Sequence, residues 1–184
     1  MDSEEKVKKN YRIVIVGTSC SGKTTLAHTI AERLDIHHVN LDSIHWLPDW
    51  KERERDDFRV VTAKTLQEAG SWVCDGNYSF VRDIVWKDVT HIVWLNYPFW
   101  FIMFRALKRT SRRVFLREEF VNGNYESFRH AFMSKDSILW WIMLTYRKNK
   151  TLYPPLLDAE RKRGVNIIIA QKPQEAEVFA KSLT

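Results

Sequence analysis

Cysteine is scarce in this chain. Cys20 and Cys74 are the only two among 184 residues, too few for a disulfide framework, and that usage points to a reducing compartment, the cytoplasm. Long apolar runs are missing too. The most hydrophobic stretches, 92–95, 99–104 and 138–144, fall short of the roughly 18 residues that a bilayer span requires, so no membrane partner is expected. There is no internal repeat and no low-complexity linker. Neither a zinc-ligand spacing nor a helix-turn-helix pattern occurs, so nucleic acid as a partner has no motif behind it. Residues 1–10 carry no signal-peptide pattern and read as a polar, flexible tail.

The composition is that of a single globular domain over 11–184: 45% of residues are hydrophobic and 28% are charged. Eight Trp and ten Phe supply core and also suit a pocket that stacks a planar ligand. Basic residues outnumber acidic ones, 29 to 23, for a formal charge of +6. That balance fits phosphate-bearing ligands, nucleic acid, or simply a basic surface.

One stretch carries specific chemistry. Gly17, Gly22, Lys23 and Thr24 satisfy G-x-x-x-x-G-K-[ST] between an apolar run, Ile13–Val16, and a segment of helical character from Lys23 to Leu34. Two glycines let the backbone curl until several N–H groups point into one hollow at a helix start, where an anion is bound. Gly17, Thr18, Ser19, Cys20, Ser21, Gly22, Lys23, Thr24 and Thr25 are therefore the candidate contacts to ATP. Lys23 would reach the outer phosphates, and the Thr24 hydroxyl would ligate Mg²⁺. Cys20 is either a thiol made reactive by Lys23 and the helix start or a small filler.

The rest of the chain alternates strands and helices, which implies a parallel sheet covered on both faces. The expected strands are 11–16, 38–41, 72–74, 91–95 and 165–170. The expected helices are 23–34, 56–69 (with Phe58, Val61, Thr65 and Leu66 inward), 79–85, 98–110, 136–150 and 173–182. Residues 43–50 read as a loop, and Pro154-Pro155 is expected to end the helix before it. Residues 111–135, rich in Arg and Phe with a turn signal at Asn122-Gly123, have no clear period and suit an inserted lid.

In open parallel sheets ligands bind at the carboxyl ends of the strands. Gly17, Asp42, Asp75, Asn96 and the pair Gln171 and Lys172 follow the five strands, so all converge on one rim. Asp75 is the candidate on the metal side, alongside Thr24, or else a turn cap. Asp42 is the candidate acceptor-side base, or else a helix cap. His45 and Trp46 would line the acceptor site, or merely pack. Arg105, Arg109 and Arg113 are spaced by four and share one helix face, with Arg112 beside them. Stacked cations need an opposite charge: a triphosphate, with Arg105 and Arg109 assisting transfer, a nucleic acid, or solvent.

These pieces resemble the adenylate-kinase-like branch of phosphate-loop kinases, and within it the small proteins described as topology modulation proteins. The resemblance rests on Gly-Thr-Ser-Cys-Ser-Gly-Lys-Thr-Thr-Leu-Ala at 17–27, Asn-Leu-Asp-Ser-Ile-His-Trp at 40–46, Trp-Val-Cys-Asp-Gly-Asn-Tyr at 72–78, Ile-Val-Trp-Leu-Asn-Tyr-Pro at 92–98 and the Arg105/Arg109 pair. It implies a three-layer αβα fold with a five-stranded sheet in the order 2-3-1-4-5 and a small helical lid near 111–135. It further implies ATP with Mg²⁺ at the loop and Asp75, and a lid arginine such as Arg109 at the transferred phosphate. Two departures set it apart from true adenylate kinases. Asn77-Tyr78-Ser79 replaces Phe-Pro-Arg after Asp-Gly, and the second strand exits through Leu-Asp-Ser-Ile-His-Trp.

The expectation is an ATP-dependent phosphotransferase, monomer or homodimer, moving the γ-phosphate to a small-molecule acceptor held among Asp42, His45, Trp46, Asn77 and Tyr78. The alternatives are a nucleotide-binding regulator that contacts DNA or RNA through the Arg-rich face, and an NTPase coupled to a partner.

Overall fold

The computed structural model describes residues 10–116, 119–125 and 137–183. In chain order the elements are β1 (Arg12–Gly17), α1 (Lys23–Leu34), β2 (His37–Asn40), α2 (Leu41–His45), β3 (Trp46–Leu47), β4 (Lys51–Glu52), α3 (Arg55–Ala69), β5 (Trp72–Asp75), α4 (Arg82–Val85), β6 (His91–Leu95), α5 (Phe99–Leu116), β7 (Glu119–Val121), β8 (Asn124–Tyr125), α6 (Ile138–Lys162), β9 (Asn166–Ala170) and α7 (Pro173–Ser182). Two 3-10 turns, Pro48–Trp50 and Ser79–Val81, complete the description.

Five strands form one parallel sheet in the order β2-β5-β1-β6-β9. Numbered along the chain this reads 2-5-1-6-9 where 2-3-1-4-5 was expected. The difference lies in two short antiparallel ribbons, β3-β4 and β7-β8, which the sequence did not announce because two-residue strands have no readable period.

Side chains alternate across β1. Ile13 and Ile15 enter one apolar cluster with residues of α1, α5, α7 and the start of α6. Val14 and Val16 enter another with α3, α4 and the later part of α6. Both faces of the sheet are therefore buried, as parallel strands require.

Three expectations need correcting. The helix expected over 136–150 runs from Ile138 to Lys162, straight through Pro154 and Pro155. Both prolines are exposed, whereas Tyr153 and Leu157 are 2% and 1% exposed; the packing of that face outweighs the lost backbone bonds. The helix after Pro98 reaches Leu116, so 111–116 are helical; 119–125 form the β7-β8 ribbon rather than a helix, and residues 117–118 and 126–135 of the expected lid lie outside the described residues. On α3 the inward positions are Phe58, Thr62 and Leu66 rather than Val61 and Thr65, because a four-residue step follows the helix face more closely than the three-residue one.

α6 contributes Ile142 to one cluster and Tyr153 and Leu157 to the other, so its later half matters only if the helix continues past the prolines. Leu157→Ala should cost about 2–5 kcal/mol, read as a lower urea midpoint. A loss below about 0.5 kcal/mol would mean that this segment is not core.

Candidate active site

The phosphate loop is shaped by left-handed backbone. Gly22 has φ 99° and caps α1 without a side chain. A Cβ at this position would come within 3.0 Å of Nη2 of Arg105, so the guanidinium occupies the space that glycine leaves open. Cys20 takes φ 64°, a region that non-glycine residues seldom occupy. No acidic residue of α1 itself lies in its first turn, so the helix does not neutralise the partial positive charge of its own end. The Lys23 ammonium folds back and donates to the carbonyls of Gly17, at 3.1 Å, and Thr18, at 3.3 Å. Desolvation lowers its pKa; Asp42, Asp75 and Cys20 oppose the shift, and Arg109 adds to it.

Asp75 ends β5 in register with Ile15 on one side and Asn40 on the other. Its carboxylate is 2% exposed and each oxygen has one partner. Thr24 Oγ1 donates to Oδ2 at 2.6 Å, and His38 Nε2 meets Oδ1 at 2.7 Å. The two expected metal-side residues are thus in contact. His38 is a site residue that sequence reasoning missed. Its only signal was its place on β2: the strand period puts it on the face shared by Val73 and Asp75, and only the register with β5 reveals the pairing. Among the described residues no cluster of three or more His, Cys, Asp or Glu side chains could hold a metal. One carboxylate and one hydroxyl fit a cation that takes its remaining oxygens from phosphates and water, as Mg²⁺ does.

Asp42 follows the end of β2 by two residues, in the first turn of α2. Asn40 caps that helix, its Oδ1 accepting from the N–H groups of Asp42 at 2.8 Å and Ser43 at 3.2 Å. The Tyr78 hydroxyl donates to Asp42 Oδ1 at 2.7 Å. Burial and the Asp42 charge raise the Tyr78 pKa, against a hydrogen bond with Trp46, so Tyr78 remains a protonated donor. Asp42, Trp46 and Tyr78 therefore meet at one hydroxyl, and Asp42 is near enough to bear on the Lys23 charge.

His45 and Asn77 depart from expectation. His45 is 7% exposed, with its ring packed against Tyr78 at 4.7 Å, Trp46 at 4.8 Å and Phe58 at 5.4 Å. Desolvation lowers its pKa, opposed by Glu52 and Asp42, which makes it a neutral member of an aromatic cluster rather than an open lining group. Asn77 braces the phosphate loop. It donates to the Gly17 carbonyl and accepts from the Gly17 N–H at 3.4 Å and from the Tyr153 hydroxyl at 3.1 Å. Its amide is engaged by the Gly17 backbone and the Tyr153 hydroxyl. Asn149 of α6 adds a 3.4 Å bond to Thr18 Oγ1, so α6 steadies the loop at two points. Thr25, in the first turn of α1, is exposed.

The arginine face is turned inward. Arg105 lies against Gly22 and stacks on Phe101 at 5.6 Å. Arg109 Nε is buried without a hydrogen-bond partner, and its charge is felt by Lys23. A buried, unsatisfied guanidinium nitrogen beside a phosphate loop fits an anionic ligand. Arg112 is exposed and Arg113 half-buried. At the far rim, the Asn96 N–H is used by the Ala170 carbonyl at 2.8 Å and the Gln171 N–H by Glu175 at 2.6 Å. The described part of the expected lid reaches the acceptor side. Asn122 donates to the carbonyls of Ser43 and Trp46 at 2.9 and 2.6 Å. Asn124 accepts from the Trp50 N–H at 2.7 Å and donates to the Leu47 carbonyl at 3.0 Å.

No protein-family model and no curated protein matches this chain. Solved structures do. One is shikimate kinase from Acinetobacter baumannii in complex with shikimate, 16% identical, covering 95% of this chain and 90% of that one, with a TM-score of 0.56. Another is an unliganded sugar kinase from Janibacter sp. HTCC2649, 18% identical, covering 94% and 93%, with a TM-score of 0.53. At these identities the likeness shows the fold alone: the chain shares the α/β fold of these two structures. No helix among the described residues is long and apolar enough to cross a membrane.

Tyr153 links α6 to Asn77 and so to the loop, and burial pushes its phenol up to about 12. A raised pKa means that the fold holds the proton more tightly than the unfolded chain does. The associated stability is present below pH 10, the ordinary phenol value, and is lost as pH rises toward 12. Tyr153→Phe should cost about 1 kcal/mol at neutral pH through the lost hydrogen bond. It should also lessen the fall in urea midpoint between pH 8 and pH 11. An equal fall in parent and variant would rule out Tyr153 as a source.

Proposed function

We propose that this protein is an ATP-dependent phosphotransferase acting on a small-molecule acceptor. The observation that carries the reading is the pairing of two carboxylates at neighbouring strand ends about Lys23. Asp75 meets Thr24 on the donor side, and Asp42 meets Tyr78 on the acceptor side. A plain hydrolase has no need of the second pair. In this reading residues 17–25 hold the ATP phosphates, and Thr24 and Asp75 hold Mg²⁺, which when bound neutralises phosphate charge. Lys23, Arg105 and Arg109 stabilise the transferred group.

The acceptor oxygen attacks the γ-phosphorus and its proton passes to Asp42. A new O–P bond forms as the bond to the bridging β–γ oxygen breaks, releasing ADP. Tyr78 orients Asp42 by donating to its other oxygen. The solved kinases to which the chain is similar support a small acceptor. The narrower likeness to adenylate-kinase-like and topology modulation proteins rests on the sequence motifs alone. Binding of nucleic acid through the arginine face draws less support, because Arg105 and Arg109 are turned to the loop rather than to solvent.

Lys23→Ala should abolish ATP binding by calorimetry; undiminished binding refutes the loop assignment. Asp42→Asn should keep ATP affinity but lower transfer by about 10²–10⁴-fold. The transfer assay is a screen of ATP against nucleosides, nucleoside monophosphates and sugar acids. ATP turnover that needs no acceptor and is indifferent to Asp42→Asn would instead make the protein an NTPase.

A further inference from the structure

The Asp75 carboxylate is held in a way that the phosphate-loop motif does not account for. Its backbone is fixed by two parallel ladders, to Ile15 and to Asn40, but those ladders leave the side-chain torsions free. Two hydrogen bonds set them. One comes from the Thr24 hydroxyl at 2.6 Å and the other from His38 Nε2 at 2.7 Å. The first is compatible with Thr24 as a ligand, because a hydroxyl can turn a lone pair to the cation and keep its proton on the carboxylate, but it comes from the loop that the ligand itself would occupy. The second is independent of any ligand. The His38 side chain is 19% exposed against 2% for Asp75, so the bond lies in a largely dry layer between β5 and α1, where it is stronger than in water. On its outer side the ring meets His28 nearly edge-on, centroids 6.5 Å apart, and His28 in turn pairs with Glu32 at 3.2 Å. Among the described residues no lysine or arginine forms an ion pair with Asp75, so outside the loop the histidine is its side-chain tether.

We propose that His38 is the positioning residue of the cation half of this site. Donating Nε2–H to Oδ1, it holds the Asp75 carboxylate with Oδ2 toward Thr24, whether or not the loop is loaded. The inference rests on the phosphotransferase reading for the identity of the cation. Carboxylate or carbonyl partners of metal-binding groups commonly alter metal affinity by about 10–100-fold when removed, and His38 stands in that relation to Asp75.

The alternative role is purely structural, a tie between β2 and β5. Magnesium dependence of nucleotide binding separates the two. ATP binding to the full chain is followed by calorimetry over a MgCl2 titration and again in EDTA, beside the urea midpoint of each variant. His38→Ala should raise the MgCl2 concentration for half-maximal enhancement by about 10-fold and leave binding in EDTA within twofold. His38→Gln, whose amide nitrogen reaches the same place as Nε2, should restore most of the loss. Asp75→Asn should shift the MgCl2 midpoint at least as far as His38→Ala.

A His38→Ala midpoint within twofold of the parent, while Asp75→Asn moves it, overturns the proposal. A shift that His38→Gln leaves uncorrected, and that follows the urea midpoint, assigns His38 to the strand tie and overturns it equally. Asp75→Asn without effect on magnesium dependence would refute the metal-side reading itself, an outcome distinct from failure of His38.

Discussion

A carboxylate at 2% exposure has to be given hydrogen bonds, since an ionised group stripped of water and left unpaired costs several kcal/mol. Asp75 receives two, and each recruits a different part of the fold. Thr24 belongs to the first turn of α1, which begins where Gly22 turns the chain through left-handed backbone. His38 belongs to β2, brought alongside by parallel pairing with β5. The phosphate loop, the second strand and the third strand of the sheet are thereby locked in relation to a single buried charge. The first turn of α1 carries no acid of its own, so the acidic group beside it is Asp75, held through Thr24.

The other side of the loop is restrained by different means. α6 runs over the rim and touches the loop through Asn149 on Thr18 and through Tyr153 on Asn77, which itself grips the Gly17 backbone. This explains why the helix survives two prolines. Tyr153 and Leu157 are buried, and the proline faces turn to solvent, where the freed carbonyls can bond water. Aromatic pairs worth about 0.5–1.5 kcal/mol each beyond their buried area do similar work around His45, where Phe58, Tyr78 and Phe80 converge. That cluster carries Tyr78, the partner of Asp42, and has the Arg55 guanidinium over its Phe80 ring at 5.2 Å.

Much of this was legible in the sequence because it depends on local pattern. The five sheet strands, α1 and α7 follow from apolar runs, the glycine loop and Pro173, and strand ends alone brought Gly17, Asp42 and Asp75 to one rim. Pairing across the sheet was not legible. That His38 meets Asp75 depends on a register between strands separated by a whole helix, and nothing in the spacing of 38 and 75 specifies it. Asn77 was expected to line the acceptor site and instead bonds the Gly17 backbone and Tyr153, a partner that comes from far along the chain. The helix through Pro154-Pro155 was misread for the same reason. Local propensity gives a stop, and a tertiary contact overrules it.

Arg105 and Arg109 show how the two halves of the rim are joined. Their spacing predicted one face, but not which way it looked, because an isolated amphipathic helix can turn its cations to solvent or to a ligand. Ile102, Ala106 and Thr110 are all nearly fully buried, which fixes the rotation of α5 and leaves the arginine side only one direction, over Gly22 and Lys23. The same helix leads toward the β7-β8 ribbon, whose Asn122 and Asn124 hold the backbone of residues 43–50 just after Asp42. Arg105 and Arg109 and the ribbon that holds the segment of Trp46 and Trp50 are therefore borne by neighbouring stretches of chain. Four side-chain hydrogen bonds to backbone specify that junction more tightly than apolar contact would, since each would leave a polar group unsatisfied if the ribbon shifted by one residue.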